Sequence, residues 1–216
     1  MGTRRDMTQK LENNDNANLI NDSAAENMIY NNSEKNQINI NAKEDLNNKY
    51  KKDFPNTESP EEIAIRPMRE EDYDKVRELW QTIGGFGIRS IDDSREDIVR
   101  FIRRNPDTSV VAQDPEGKIV GTILCGNDGR QGSLYHVCVA KPYRRRGIGT
   151  RLVSFCMQAL QAEKINKVTL IAFAHNDGGN AFWKQIGWNR RSDCNYYEFV
   201  LNTENITHFI EADPAI

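Results

Sequence analysis

Apolar side chains recur along this chain with two periods, and the stretch where they show neither marks its first boundary. Through residues 1–60 they are scattered singly among asparagines, as in Glu12-Asn13-Asn14-Asp15-Asn16 and Tyr30-Asn31-Asn32-Ser33. That is too sparse to offset the entropy of ordering the backbone. Residues 1–60 are therefore expected to form a disordered, Asn-rich tail. From 61 to 202 alternating runs, helical spacing and Gly/Pro punctuation follow one another, as in one folded domain, and 203–216 reads as a C-terminal extension.

Within the domain the pattern predicts a strand over 63–66 and a helix over 70–83, where Tyr73, Val76, Leu79, Trp80 and Ile83 recur at helical spacing until Gly84-Gly85-Phe86-Gly87 stops it. A second helix starts at a Ser94 cap with Glu96 and Asp97 in its first turn and ends at Asn105-Pro106. Strands over 109–113, 118–125 and 133–139, separated by Asp114-Pro115-Glu116-Gly117 and by Asp128-Gly129 with Gly132, form an antiparallel meander. A helix over 147–162 then crosses to a strand over 167–174, which predicts a parallel pair. A short helix over 179–186 and a final strand over 196–201 close the domain.

Composition narrows the function by exclusion. The formal net charge is −3, and the eight basic and ten acidic residues of the first sixty leave the remainder near −1, so no general nucleic-acid or membrane surface is expected. No apolar segment follows the N-terminus and none reaches spanning length, which predicts a cytoplasmic protein. Cys125, Cys138, Cys156 and Cys194 are widely spaced without a CxxC pair, as reduced thiols and not a metal site.

The chemistry concentrates in Val137-Cys138-Val139-Ala140-Lys141-Pro142-Tyr143-Arg144-Arg145-Arg146-Gly147-Ile148-Gly149-Thr150. An apolar strand runs into a loop, three arginines and two glycines that open an amphipathic helix. Glycine lets backbone approach a ligand, a helix start offers unpaired N–H groups, and arginine supplies forked donors to phosphate oxygens. A diphosphate fits that combination, whereas the spacing matches neither GxxxxGK[ST] nor GxGxxG.

Arg144-x-x-Gly147-x-Gly149 resembles the [RQ]-x-x-G-x-[GA] motif of the GNAT superfamily of N-acetyltransferases. Ile65-Arg66-Pro67, Glu71-Asp72-Tyr73, Val120-Gly121-Thr122 and the segment from Asn176 through Ala181, Trp183, Gly187 and Trp188 fall in the order of that family. The resemblance implies an α/β fold: a mixed, mostly antiparallel sheet of six to seven strands, splayed between its fourth and fifth strands and flanked by about four helices. It implies acetyl-CoA as acyl donor, with the pantetheine arm along Val137, Cys138 and Val139, the diphosphate on Arg144, Arg145, Arg146, Gly147, Ile148, Gly149 and Thr150, and Asn176 and Trp183 beside the arm. A backbone N–H at Val137 or its neighbour would face the thioester oxygen. No metal is implied.

The acceptor side is less determined. The resemblance places the base on the fourth strand, at Ser133 and Tyr135. Strand alternation puts these on one face with Val137 and Val139, and His136 on the other, where a packed histidine is expected and a base is its alternative. Many family members carry a Tyr acid where Trp183 stands, and an indole cannot serve, so Tyr196, Tyr197 or water would return the proton. Phe86 and Ile88 lie in the loop that lines the acceptor in this family. The expected activity is direct transfer of an acetyl group to a primary amine of a small molecule or amino acid, by a monomer or homodimer. A protein or peptide acceptor, and a CoA-binding module with little catalysis, remain alternatives.

Overall fold

A computed structural model of the chain describes residues 63–211, which lie within one compact unit, Glu58–Ile216. The tail expected over 1–60 lies outside the described residues, as does the end of the extension, 212–216. Strand β1 (Ala64–Pro67) leads through a 3-10 turn (Glu70–Asp72) into helix α1 (Tyr73–Trp80), so the helix expected over 70–83 is divided and shorter. The Asp72 carboxylate is the cause. It accepts both terminal nitrogens of the Arg66 guanidinium at 2.7 Å and the Arg69 N–H at 2.8 Å, and this fork ties the turn to β1.

Helix α2 (Arg95–Arg104) starts at the Ser94 cap, whose hydroxyl accepts the Asp97 N–H, and its apolar stripe places Ile98 and Ile102 in the core. Strands β3 (Val110–Gln113), β4 (Ile119–Asn127) and β5 (Gly132–Val139) form the expected meander. Helix α3 (Ile148–Ala162) then crosses to β6 (Val168–Leu170), which runs parallel to β5, and α4 (Asp177–Gln185) follows. The sheet order is β1-β3-β4-β5-β6. On one face Val111, Ile119, Leu124 and Cys138 meet α1 and α2 through Trp80, Val76 and Ile98. On the other, Val110, Ala112, Ile123 and Leu134 meet Leu152, Cys156 and Leu160 of α3. Trp80 and Thr122 are fully buried, and the indole N–H donates to the Thr122 hydroxyl at 3.0 Å, which satisfies both across the layer boundary.

The α/β architecture, with four α-helices among the described residues, is as expected, and the differences are local. Seven strands are present among the described residues, divided as five in the main sheet and two in a separate ribbon, β2 (Gly87–Arg89) with β7 (Thr207–Phe209). The ribbon was not expected, because three-residue strands leave almost no periodic trace. Strand β6 is three residues long instead of the eight expected over 167–174. The strand expected over 196–201 does not form: Tyr196, Tyr197, Phe199, Val200 and Leu201 are all more than half exposed. A β-former is a side chain that suits a half-buried pleated surface, and this segment meets none.

The Arg66–Asp72 fork makes a pH prediction. Burial opposes the Asp72 charge, but the Arg66 bonds and the Arg69 N–H outweigh it and hold the carboxyl below its ordinary value. A lowered folded value means the fork contributes its full stability above the ordinary value, about 3.9, and loses it as pH falls through the lower one. Asp72→Asn is expected to unfold at lower denaturant concentration at pH 7 and to show a flatter loss of stability below pH 4 than the wild type.

Candidate active site

The middle of β5 is irregular on both edges, and the site is built on that irregularity. Toward β4, Leu124 pairs with Tyr135 and Thr122 pairs with Cys138, so His136 and Val137 together oppose Ile123: an extra residue sits in β5. His136 takes φ of +49°, in the left-handed region. Toward β6, pairing covers only Gly132 to Leu134 against Val168 to Leu170. From Tyr135 to Val139 this edge of β5 pairs with no other strand among the described residues; the Val139 carbonyl accepts from Arg144 and the His136 carbonyl from Thr122, and the remaining edge can receive an extended ligand as an added strand.

The bulge corrects the side-chain alternation expected for this strand. Ser133 and Tyr135 share the α1/α2 face with Leu124, but the extra residue reverses the phase. Cys138 joins them on that face, while Val137 and Val139 turn to the side of α3. Cys138 is no nucleophile. Burial pushes its thiol up to about 11 despite the hydroxyl of Thr122 at 3.4 Å.

Helix α3 begins beside the open edge. Its N-cap is Gly147 at φ +76°, no side chain caps it, and the first intrahelical bond is from the Arg151 N–H to the Gly147 carbonyl at 3.0 Å. The N–H groups of Ile148, Gly149 and Thr150 therefore have no intrahelical acceptor, and the positive end of the helix dipole faces the same place. Arg144, Arg145 and Arg146 are exposed at this end. The Arg144 Nε–H donates to the Val139 carbonyl at 2.9 Å, and Arg146 lies over the Tyr143 ring at 5.5 Å. The two glycines differ in role. A side chain at Gly147 would meet nothing within 4 Å but would strain the backbone, whereas one at Gly149 would press on Phe182 at 3.3 Å. Gly149 thus serves the contact between α3 and α4. An uncapped helix start, exposed guanidinium groups and an open strand edge fit the diphosphate and the amide-bearing arm of coenzyme A.

On the α1/α2 face the bulge aims His136 at Trp80 and Phe86, with ring centroids 4.5 and 4.8 Å away. Its Nε2 lies 2.6 Å from Asp93 Oδ1, and the other oxygen of that carboxylate accepts the Arg89 N–H at 2.7 Å. Ribbon β2–β7 closes over this face. The Gly85 N–H donates to the Ile210 carbonyl, and the Ile210 N–H donates back to Phe86, both at 2.8 Å. Phe86 and Ile88 are thus packed against the core that holds His136, Ile88 being fully buried.

The other expected residues are dispersed. Ser133 Oγ lies 3.4 Å from Thr169 Oγ1, bridging β5 to β6. Tyr135 is half exposed and meets Phe101 edge-on. Tyr197 is 85% exposed, and nothing brings it to β5. Tyr196 is also exposed and donates to Glu198 at 3.1 Å. Asn176 caps α4 by accepting the Gly179 N–H at 2.9 Å. Trp183 is partly buried against the core, edge-on to Phe182 and tilted against Trp188. Asp93 carries no signal in the sequence, and the bulge reverses the parity that strand alternation gives His136. A bulge leaves no periodic signature, so only their juxtaposition in the fold reveals the pair.

These features define an α/β protein with an open strand edge beside an uncapped, arginine-flanked helix start. The chain belongs to the GNAT acetyltransferase family: the family model for acetyltransferases of this type matches residues 48–188. An acetyltransferase of Pectobacterium atrosepticum is 34% identical over 132 residues, 61% of this chain and 91% of that protein. Another, of Photorhabdus laumondii, is 35% identical over 117 residues, 53% of this chain and 78% of its own length. Among solved structures, AAC(6')-Iy in complex with the bisubstrate analogue CoA-S-monomethyl-acetylneamine superposes with a TM-score of 0.52 at 16% identity, over 64% of this chain and 99% of that one, a likeness of fold. The protein is accordingly an N-acetyltransferase that uses acetyl-CoA. No described helix is long and apolar enough to cross a membrane.

The cradle depends on the left-handed turn at Gly147. Gly147→Ala is expected to lower stability by about 1–2 kcal/mol through that φ alone, read as a lower urea midpoint with an unchanged m-value. A midpoint equal to wild type would show that the turn relaxes without glycine.

Proposed function

We propose that this acetyltransferase moves the acetyl group of acetyl-CoA directly to the primary amine of a small molecule or amino acid. The observation that carries the reading is the one-sided closure of the bulge. The coenzyme side of β5 is an open edge, while the His136 side is flanked by Trp80 and by Phe86, which leads into ribbon β2–β7. A face covered in this way suits a small amine better than an extended peptide. Direct transfer is supported by Cys138, the thiol nearest in sequence to the bulge, which is buried and protonated.

In this reading the amides of Ile148, Gly149 and Thr150 and the side chains of Arg144, Arg145 and Arg146 hold the diphosphate. The backbone of Val137, Cys138 and Val139 pairs with the pantetheine arm, and Asn176 and Trp183 flank it from α4. When bound, acetyl-CoA supplies the thioester. A backbone N–H of the bulge faces its oxygen, a donor typically worth about 3 kcal/mol where negative charge develops. Tyr135 and Ser133 line the acceptor side of β5, and Phe86 and Ile88 cover it. The free thiols suit a reducing compartment, the cytoplasm.

The test is a calorimetric titration with acetyl-CoA together with thiol release against a panel of small amines and peptides. Arg144→Glu combined with Arg146→Glu is expected to weaken acetyl-CoA binding at least tenfold, since each exposed ion pair contributes modestly and reversal adds repulsion. A small amine is expected to release thiol faster than any peptide. Unchanged affinity would remove the diphosphate assignment, and preferential peptide turnover would replace the acceptor class.

A further inference from the structure

We infer that His136, oriented by Asp93, is the base that takes the proton from the acceptor amine. The inference rests on the reading of this face as an amine site, and it assigns a role to two residues that the coenzyme does not need. A primary ammonium cannot attack a carbonyl until it loses a proton, and an imidazole is the side chain suited to accept one near neutral pH.

Three observations carry it. First, the dyad is built. Asp93 is 3% exposed, a carboxylate buried to that extent needs partners, and it has them: His136 Nε2 at 2.6 Å on one oxygen and the Arg89 N–H on the other. A carboxylate facing Nε2 holds the proton there and leaves the lone pair on Nδ1. Second, that nitrogen is open. Every buried side-chain nitrogen and oxygen among the described residues has a hydrogen-bond partner, Nδ1 of His136 has none, and the side chain is 17% exposed. Nδ1 therefore keeps access to solvent. Third, the position is strained. Of the four non-glycine residues at positive φ among the described residues, His136 is the one inside a strand, at the bulge that borders the unpaired edge of β5. Such backbone persists only where its surroundings enforce it. Here the Thr122 hydroxyl donates to the His136 carbonyl at 3.1 Å, and the Trp80 and Phe86 rings flank the imidazole.

The step balances simply. The N–H bond of the acceptor ammonium breaks and its electron pair stays on the amine nitrogen. The proton joins the Nδ1 lone pair, directly or through one water, and the positive charge arrives opposite the Asp93 carboxylate. His136 is the catalytic residue and Asp93 a positioning one. The charged and titratable groups facing the pair come from several elements. Tyr73 and Arg77 of α1 donate to the Asp93 carbonyl at 2.9 Å. Arg89 of β2 adjoins the carboxylate, Tyr135 is the neighbour on β5, and Glu198 and Tyr196 are coupled to Arg89.

The experiment joins two readouts on the full chain. Nitrogen-15 NMR of histidine-labelled protein is expected to show neutral His136 as the Nε2–H tautomer with a bare Nδ1, whether or not an acceptor amine is known. With the best amine of the thiol-release panel, His136→Gln should lower kcat/KM about a hundredfold or more, with acetyl-CoA affinity unchanged. Asp93→Asn should lower kcat and turn the His136 tautomer while the KM for acetyl-CoA stays put. An Nδ1–H tautomer in the wild type, or a His136→Gln enzyme that keeps the wild-type kcat/KM, overturns the inference. Turnover of no amine by wild type would overturn the acceptor reading instead, and the tautomer result would still judge the dyad.

Discussion

The site depends on β5 losing a partner on one edge and gaining a residue against the other. Pairing with β6 stops at Leu134, which leaves a free edge, and the two-for-one opposition of His136 and Val137 to Ile123 turns the following backbone. An open edge inside a sheet is a liability unless something pairs with it. Here a coenzyme arm with its own amide groups is the natural partner. The same bulge rotates His136 toward α1 and sends Val137 and Val139 toward α3, so one irregular residue divides the two faces of the strand.

What surrounds the bulge is rigid where it must be. Trp80 and Thr122 lock α1 to β4 beneath it, and Thr122 also donates to the His136 carbonyl. Left-handed backbone recurs around the site, at His136 (+49°), Arg145 (+64°) and Gly147 (+76°). Such conformations cost about 1–3 kcal/mol each at non-glycine positions and are retained where function or packing enforces them. The helix start at Gly147 carries the charge side of the design, because uncapped amides and the dipole act together with the arginines within the first turn. The ribbon β2–β7 adds a cover whose backbone bonds, Gly85 to Ile210 and back to Phe86, do not involve the main sheet.

The sequence revealed what rests on period and on local chemistry. The meander, the capped start of α2 and the crossover helix α3 could be read because each contributes a long apolar pattern or a turn with a stereochemical reason. The strand-loop-helix unit that carries Arg144, Gly147 and Gly149 could be read for the same reason, since these residues sit at fixed offsets along it. The surroundings of His136 could not. Asp93 and His136 are 43 residues apart and meet only in the fold, the bulge has no periodic trace, and three-residue strands such as β2 and β7 fall below any pattern. The residues 196–201 fail in the opposite sense, since strand-like composition found no sheet to join.

The measurement that bears most directly on this account is amide hydrogen exchange of the full chain with and without acetyl-CoA. The account predicts slowed exchange in two stretches, 135–139 on the open edge of β5 and 147–150 at the start of α3, with β1 and β3 unchanged. Protection confined to other surfaces, or none in these two stretches at saturating acetyl-CoA, would contradict it.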